Sequence, residues 1–310
     1  MEITASMVKD LRDMTGAGMM DCKKALAATE GDMDKAVEFL REKGLAAAEK
    51  KAGRIAAEGV VDTFVSADGK IAAIVEVNSE TDFVAKNEKF RDYVAAVAKQ
   101  AVETKAADMD AFFAEQWALD PTVTVKEQLS SMIAIIGENM NIRRFEKVEA
   151  ANGFVASYIH GGGRIGILVD VECAVNNEAV QEAAKNVAMQ IAALSPKYVN
   201  QSEISADFIA HEKEILKAQI MNDPSNSKKP ENIIEKMLEG RLSKELKEFC
   251  LVDQLYVKDS DMTVGQYLES VSKQVGTSMN VKRFVRFETG EGLEKKSENF
   301  AEEVARQMGN

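Results

Sequence analysis

Apolar positions in the central part of the chain first alternate as in short strands and then recur with the spacing of amphipathic helices. Two apolar runs at 59–65 and 71–77 enclose a polar turn, and a helical pattern follows them. The same order of patterns returns at 153–159 and 165–171, 94 residues later. This repetition predicts two copies of one unit, each a β-hairpin followed by a helix.

A second internal match lies further along the chain. Residues 124–149 resemble residues 263–288 at an offset of 139, and each copy shows the pattern of a helix followed by a strand. Joined to the hairpins, these segments predict an α+β body of two related subdomains, each hairpin–helix–helix–strand. Because the two offsets differ by about 45 residues, a segment of that size must be inserted in the second copy.

The inserted segment, at about 197–257, carries two long helical patterns separated by a polar turn with two prolines. Ile204 and Phe208 belong to the first of these patterns. The combination predicts an antiparallel helical hairpin that protrudes from the second subdomain. Beyond it, a C-terminal helix is predicted with four apolar positions: Leu293, Phe300, Val304 and Met308.

The first 44 residues show three short helical patterns around glycine-containing turns. Thr4, Asp21 and Asp32 are the expected N-caps of the three helices, since Thr and Asp side chains accept from free backbone N–H groups. The chain is therefore predicted to have five parts: a three-helix module at 1–44, a helical connector at 45–56, a first core subdomain at 57–150, a second at 151–288 with its insertion at about 197–257, and a C-terminal module at 289–310.

Composition and charge narrow the function classes. The 310 residues carry a formal net charge of −12, which argues against non-specific binding to nucleic acid or to an anionic membrane. No apolar run approaches the roughly 18 residues of a membrane span, and no secretory signal is expected at the N-terminus. Three widely separated cysteines indicate a reducing compartment without disulfides. We therefore expect a cytoplasmic protein whose partner is a protein or a small molecule.

The patterns of common catalytic and metal sites are not found in the sequence. Residues 161–166 fit G-x-G-x-x-G, but they lie between two predicted strands instead of between a strand and a helix. The two histidines, His160 and His211, share no metal-ligand spacing with each other or with a cysteine. We expect a binding protein with no catalytic residue, no metal site and no cofactor.

The turn after the second predicted strand, Thr81-Asp82-Phe83-Val84, places a large aromatic ring beside a carboxylate. In one interpretation, Thr81 or Asp82 caps the next helix while Phe83 and Val84 pack inward as its first-turn anchor. In the other, Phe83 points outward and enters another protein. The stretch by itself favours inward packing, whereas the rest of the chain has the parts of a binding protein.

Two further segments have two interpretations each. His160 and Gly161 lie at the tip of the second predicted hairpin, and the histidine is either an exposed polar residue or a contact to a partner. Met19 and Met20 either pack between the first two helices or form an adaptable recognition surface. Arg12 is either a solvated helix charge or a contact on the same face.

Four separated segments carry a specific resemblance. They are LRDMTGAGMMDCKKAL at 11–26, EVNSETDFVA at 76–85, IGENMNIRR at 136–144 and VRFETGEG at 285–292. In this order they resemble the family of bacterial elongation factor Ts. The resemblance spans the chain and implies an N-terminal module similar to ubiquitin-associated domains, a core of two subdomains, a coiled-coil hairpin and a C-terminal module. The stretch 105–121, with Trp117, departs from the shortest form of that plan, and no role is implied for it.

The resemblance implies a guanine-nucleotide exchange factor for elongation factor Tu that acts by protein binding and is not an enzyme. In the family, the turn that corresponds to Thr81 to Val84 is tied to the displacement of magnesium from the nucleotide site. Phe83 would wedge between helices of the partner's G domain. Asp82 would disturb groups near the magnesium.

The resemblance also implies contacts outside this turn. Arg12, Met19 and Met20 would dock on the same G domain, and the C-terminal helix would join them. His160 and Gly161 would hold another domain of the partner. No direct contact with nucleic acid or membrane is implied.

Two other function classes remain open from the residues. One is an α+β enzyme that uses the glycine-rich hairpin, which binding of a free nucleotide would favour. The other is a structural dimer or scaffold built on the helical hairpin, and the sequence leaves open a homodimer through Ile204, Phe208 and their neighbours.

Overall fold

The computed structural model describes residues 3–226 and 229–294, and within these ranges the predicted α+β class is confirmed. The α-helices are Ala5–Thr15 (α1), Met19–Ala28 (α2), Met33–Lys51 (α3), Asp82–Ala85 (α4), Glu88–Glu103 (α5), Met109–Ala114 (α6), Val125–Ile136 (α7), Glu178–Leu194 (α8), Ala206–Asn222 (α9), Glu231–Phe249 (α10) and Val264–Val275 (α11). The strands are Glu58–Val65 (β1), Ile71–Ser79 (β2), Gln116–Trp117 (β3), Asp120–Thr124 (β4), Met140–Glu149 (β5), Gly153–His160 (β6), Ile165–Cys173 (β7), Leu255–Tyr256 (β8), Asp259–Thr263 (β9) and Met279–Glu288 (β10).

Two of the three predicted N-caps in the first helices are confirmed. The side chains of Thr4 and Asp32 accept from backbone N–H groups at the starts of α1 and α3. The prediction for Asp21 is wrong, because α2 begins at Met19 after Gly18. Asp21 lies in the first turn instead, where a carboxylate is also favoured by the helix dipole. Its carboxylate accepts a hydrogen bond from Lys43 Nζ of α3 at 2.7 Å.

Helix α3 connects the first helices to the rest of the molecule. It runs without a break through residue 44, where the sequence analysis placed a boundary, and ends at Lys51, so residues 52–56 of the expected helical connector at 45–56 are not helical. Its contact with α7 includes Gly44, where an added Cβ would lie 3.7 Å from the Ser130 carbonyl oxygen, an ordinary van der Waals distance. Arg41 of α3 also donates to the Thr122 hydroxyl at 2.7 Å.

Each predicted hairpin is present and is joined by a third strand. The strands β1, β2 and β5 form one antiparallel sheet in the order β1-β2-β5, hereafter sheet 1. The strands β6, β7 and β10 form the second in the order β10-β7-β6, hereafter sheet 2. Helix α5 packs on sheet 1 and α8 packs on sheet 2, so each unit buries its own apolar core.

The second internal repeat is longer in the structure than in the sequence analysis. Elements α7 and β5 begin and end 139 residues before α11 and β10. A short two-stranded ladder precedes each helix at the same offset, β3-β4 in one copy and β8-β9 in the other. The two copies of the repeat therefore begin at Gln116 and Leu255, which lie in the stretch 105–121 that had no implied role and in the expected insertion at about 197–257. These ladders have few residues, which is why periodicity did not reveal them.

The two sheets pack against each other through a third apolar cluster that includes Val61, Ile74 and Leu168. Gly166 lies at this contact, and a Cβ there would come within 2.4 Å of Val61 Cγ1. Gly163 has a positive φ of 101° in the hairpin turn and also faces Val60. The turn and the close packing thus account for the glycines of the G-x-G-x-x-G pattern.

Helices α9 and α10 form an antiparallel pair that projects from the second unit. The ring of Phe208, near the start of α9, lies 5.9 Å from that of Phe249 at the end of α10. The buried interior of the pair consists of Leu216, Ile220, Ile234 and Leu238. Ile204, which the sequence analysis placed in the first helix, precedes it.

The predicted C-terminal helix falls largely outside the described residues, as do Phe300, Val304 and Met308. Leu293 is described and follows a turn that begins at Thr289. Among the described helices, none is both long enough and apolar enough to cross a bilayer.

Candidate protein-binding site

The turn between β2 and α5 exposes the side chain that the sequence analysis singled out. Strand β2 ends at Ser79, and the chain then forms the four-residue helix α4. Thr81 caps it, since its hydroxyl accepts from the Val84 N–H at 3.4 Å. Val84 and Ala85 pack against the core of sheet 1. Phe83 points away from that core and is 80% exposed.

The inward-packing interpretation is therefore wrong for Phe83 and holds for Val84. Successive residues of a helix point about 100° apart, so a short helix that buries Val84 and Ala85 directs Phe83 elsewhere. An exposed Phe on an anchored turn gives the surface a rigid apolar projection. Such aromatic side chains are the usual anchors of protein–protein interfaces.

Asp82 lies beside Phe83 and is also exposed. Its carboxylate pairs with Lys86 Nζ at 2.6 Å, one helical turn later. The hydrogen bond from Lys86 holds the pKa of Asp82 below its ordinary value of 3.8. The group is accordingly a carboxylate at neutral pH, and it can exchange its ammonium partner for a group on another protein.

The start of α4 is held by the loop that follows α7. Glu138 accepts the Thr81 N–H at 3.0 Å with one oxygen and the Thr81 hydroxyl at 2.7 Å with the other. Glu80 accepts the Asn139 N–H at 2.5 Å and pairs with Arg54 at 3.4 Å. Glu138 and Glu80 had no predicted role, although both lie in segments that carry the family resemblance.

Glu76, a buried carboxylate on β2, joins three of the four segments that carry the family resemblance. Glu76 is fully buried, and its oxygens accept from Arg143 at 3.1 Å and from Arg144 at 2.6 Å. The Asn78 amide and the Gly290 N–H donate to it at 3.0 and 2.8 Å. Burial alone would raise the pKa of Glu76, but these donors outweigh it and lower the pKa below its ordinary value of 4.5. The cluster ties the end of β10 to sheet 1.

The tip of the β6–β7 hairpin lies against the first unit. The carbonyl oxygen of Gly162 accepts from Arg91, in the first turn of α5, at 2.7 Å. His160 and Gly161 are exposed, and His160 Nδ1 is 3.0 Å from the Tyr158 hydroxyl. Because α5 directly follows the Phe83 turn, the structure brings this tip to the same end of sheet 1.

The N-terminal helices present a separate apolar surface. Met14, Met19 and Met20 are 64%, 46% and 64% exposed, so packing between the helices does not account for them. Arg12, near the end of α1, is also exposed. In the described part of the chain, no hydrogen bond or ion pair joins these residues to the Phe83 turn. We refer to Arg12, Met14, Met19 and Met20 as the methionine surface.

The described residues offer little to metal or thiol chemistry. No group of three or more His, Cys, Asp or Glu residues among them could hold a metal ion. Cys22, Cys173 and Cys250 are free and buried, and burial raises the pKa of the Cys250 thiol to about 11. A thiol with such a pKa is a poor nucleophile at neutral pH. The exposed groups of the Phe83 turn and of the methionine surface are apolar side chains and a carboxylate, which are suited to binding another protein.

Comparison with known proteins gives a consistent result over the length of the chain. Residues 80–291 match the family described as Elongation factor TS. The chain is 54% identical over 306 residues to elongation factor Ts of Clostridium novyi (strain NT), with 99% of each chain covered. It is 53% identical over 306 residues to elongation factor Ts of Clostridium tetani (strain Massachusetts / E88), again with 99% of each covered.

Proposed function

The chain belongs to the elongation factor Ts family, and from this premise we propose that it is a guanine-nucleotide exchange factor for elongation factor Tu in translation elongation. It acts by binding its partner and is not an enzyme. The observation that carries the proposal is Phe83, a large aromatic residue that is 80% exposed on a turn anchored from both sides.

The proposed mechanism begins with the Phe83 turn entering the partner's G domain. The Phe83 ring would wedge between helices of that domain, and Asp82 would disturb the groups that hold magnesium. In such GTPases, Mg²⁺ bridges phosphate oxygens and neutralises their charge, so its displacement weakens the hold on GDP. Val84 and Ala85 support this role because their packing against the core of sheet 1 holds the turn in place.

The energetics require differential binding. A nucleotide held at nanomolar affinity corresponds to about −12 kcal/mol. The factor must bind nucleotide-free elongation factor Tu better than the loaded form, and by reciprocity GDP weakens the factor's binding by the same ratio. A buried aromatic hot spot contributes about 2–4 kcal/mol, so several such contacts over an interface of about 2,000 Å² are needed.

We propose further contacts through other segments of the chain. The methionine surface would dock on the same G domain, and the C-terminal module at 289–310 would join it. The exposed pair His160 and Gly161 would contact another domain of elongation factor Tu. The three-helix module and the two core subdomains would thus hold the partner at separate points around the Phe83 turn.

The experiment that tests the function is the release of fluorescent GDP from elongation factor Tu, with and without catalytic amounts of this protein. We expect acceleration by at least about tenfold, since smaller factors correspond to less than one hot-spot contact. An excess of unlabelled GDP prevents rebinding. If the folded protein leaves the release rate unchanged, the proposed function is wrong.

Replacing Met20 with alanine is expected to weaken docking on elongation factor Tu more than it lowers the maximal rate of GDP release. The side chain is 64% exposed on the methionine surface and leaves no cavity when it is shortened. Loss of a moderate contact of about 1–2 kcal/mol would raise the half-saturating concentration of the factor by about 5- to 30-fold, with a similar maximal release rate. Titration of the factor in the GDP-release assay measures both quantities.

The matched control is Met221→Ala, since Met221 is 61% exposed on α9 of the helical hairpin and lies outside the proposed docking set. It should leave both quantities unchanged. Equal effects of the two substitutions would argue against a specific role for the methionine surface.

A further inference from the structure

We propose that Glu138 is a positioning residue for nucleotide exchange, holding the Thr81 turn so that Phe83 is presented in one orientation. The inference rests on the proposed function, which assigns the wedge to Phe83. Glu138 itself would touch neither the partner nor the nucleotide. Its effect would pass entirely through the turn that it holds.

The contacts form a continuous chain from Glu138 to the helix that carries Phe83. The Val84 N–H donates to the Thr81 hydroxyl at 3.4 Å, and that hydroxyl donates onward to Glu138 at 2.7 Å. The second oxygen of Glu138 accepts the Thr81 N–H at 3.0 Å. Hydrogen bonds to an ionised carboxylate are stronger than neutral ones, and a hydroxyl that donates to such a group becomes a better acceptor.

The turn needs this support because α4 is only four residues long. A single turn of helix is unstable by itself, since fixing its backbone costs more than its few hydrogen bonds return. Packing of Val84 and Ala85 holds α4 on the core, whereas the backbone freedom at the strand exit depends on what pairs with Thr81. Glu138 removes that freedom by accepting from both the N–H and the hydroxyl of Thr81.

The loop that carries Glu138 is itself rigid. It begins at Gly137, which ends α7 in the left-handed conformation with φ of 90°. The next residue after Glu138, Asn139, donates its N–H to Glu80 at 2.5 Å and its side-chain amide to the Arg54 carbonyl at 2.7 Å. Two carboxylates therefore join the loop to the turn. Glu138 of the loop accepts from Thr81, and Glu80, which precedes the turn, accepts from Asn139 of the loop.

The second copy of the repeat provides an internal comparison. At the positions equivalent to Gly137 and Glu138, it has Gly276 and Thr277, so the glycine cap is kept and the carboxylate is absent. Asn177, which caps the long helix α8 directly after the strand, corresponds to Asn87, the N-cap of α5, so the second copy has no counterpart of α4 or of Phe83. The copy without an exposed aromatic turn also lacks the carboxylate. This pairing indicates that Glu138 serves the turn and is not required by the fold of the unit.

The test is Glu138→Ala in the GDP-release assay, alone and combined with Phe83→Ala. We expect the single substitution to lower the maximal stimulated rate by about tenfold, with less than about a threefold change in half-saturation, since about two charge-assisted hydrogen bonds are lost. In the Phe83→Ala background, the same substitution should have almost no further effect. A full additional decrease in that background would overturn the proposal, because Glu138 would then act through something other than Phe83.

A second readout uses the isolated chain and does not depend on elongation factor Tu. Amide hydrogen exchange at Thr81 and Val84 should become at least about tenfold faster in Glu138→Ala, because the capping chain is broken. Unchanged protection at both amides would overturn the proposal. If the wild-type protein fails to release GDP while these amides respond as expected, the exchange function is wrong and the hold on the turn remains.

Two variants keep the interpretation clear. Glu138→Gln retains the shape and one acceptor, so it should fold and show a smaller loss, which covers the case in which Glu138→Ala is unstable. Glu103→Ala removes an exposed carboxylate at the end of α5 that accepts no side-chain hydrogen bond from the described residues. It should behave as wild type. If Glu103→Ala lowered the maximal rate as much as Glu138→Ala does, the change in net charge alone would explain the effect, and the proposal would be overturned.

Discussion

Replacement of Phe83 with alanine is expected to slow stimulated GDP release from elongation factor Tu by about 30-fold or more. The estimate follows from a hot-spot contribution of about 2–4 kcal/mol for an aromatic ring that becomes fully buried in a partner. The loss should fall on the maximal rate and less on docking, because the methionine surface and the hairpin tip remain intact. Stopped-flow release of fluorescent GDP at saturating factor measures this rate directly.

The free protein should be nearly as stable as wild type after this substitution. Phe83 is 80% exposed, and truncation of an exposed side chain changes the free energy of unfolding by less than about 0.5 kcal/mol. Leu119→Ala is the matched control, since Leu119 is a large apolar residue that is 72% exposed on the β3–β4 turn. An unchanged release rate in Phe83→Ala would exclude the wedge mechanism.

Replacement of Glu76 with glutamine should destabilise the fold by about 3–5 kcal/mol, the usual result of removing one partner from a buried ion pair. The carboxylate is fully buried between Arg143 and Arg144, with the Gly290 N–H as a further donor. Glutamine keeps the shape of the side chain, but its NH₂ group would bring two N–H donors to a position that is surrounded by the donors of Arg143, Arg144 and Gly290. Equilibrium unfolding in urea, followed by circular dichroism, measures the loss.

The control for this substitution is Glu149→Gln on the same sheet, where the side chain is 68% exposed and faces Lys147 at 3.7 Å. It should change stability by less than about 0.5 kcal/mol, as exposed pairs do. Equal effects at Glu76 and Glu149 would contradict the assigned importance of the buried cluster.

Stability should also depend on pH through Glu76. Since its pKa in the folded state lies below the ordinary value of 4.5, the unfolded chain binds the proton more readily. The stabilisation is present above about pH 4.5 and is lost as the pH falls through the lower folded-state pKa. The difference in stability between wild type and Glu76→Gln should therefore shrink on acidification, whereas a constant difference would exclude this titration.

Much of the secondary structure could be predicted because it depends on residues that are near each other in the chain. The repeated helix–strand pattern predicted α7 with β5 and α11 with β10, since apolar periodicity and N-caps are local signals. The helical hairpin followed from two amphipathic patterns around a turn with prolines. Local signals failed where one residue type is favoured at two neighbouring positions of a helix. Asp21 is the example, because aspartate suits both the N-cap and the first helical turn.

The candidate site was predicted only in part. The sequence identified Thr81 to Val84 as an unusual turn, and the resemblance supplied a role for it. It did not decide whether Phe83 packs inward, because that depends on how α4 meets the core of sheet 1. Glu138 was missed because it lies 57 residues from Thr81, and no local pattern relates the two.

The sequence by itself determined the two repeated α+β units, their insertion and the family to which the chain belongs. All of these depend on the order and spacing of residue types along one chain. Only the tertiary structure decided that Phe83 is exposed, that Glu138 holds its turn and that Glu76 joins sheet 1 to the turn that follows β10. These contacts form between segments that are far apart in sequence, where packing and burial, and not local propensity, set the direction of each side chain.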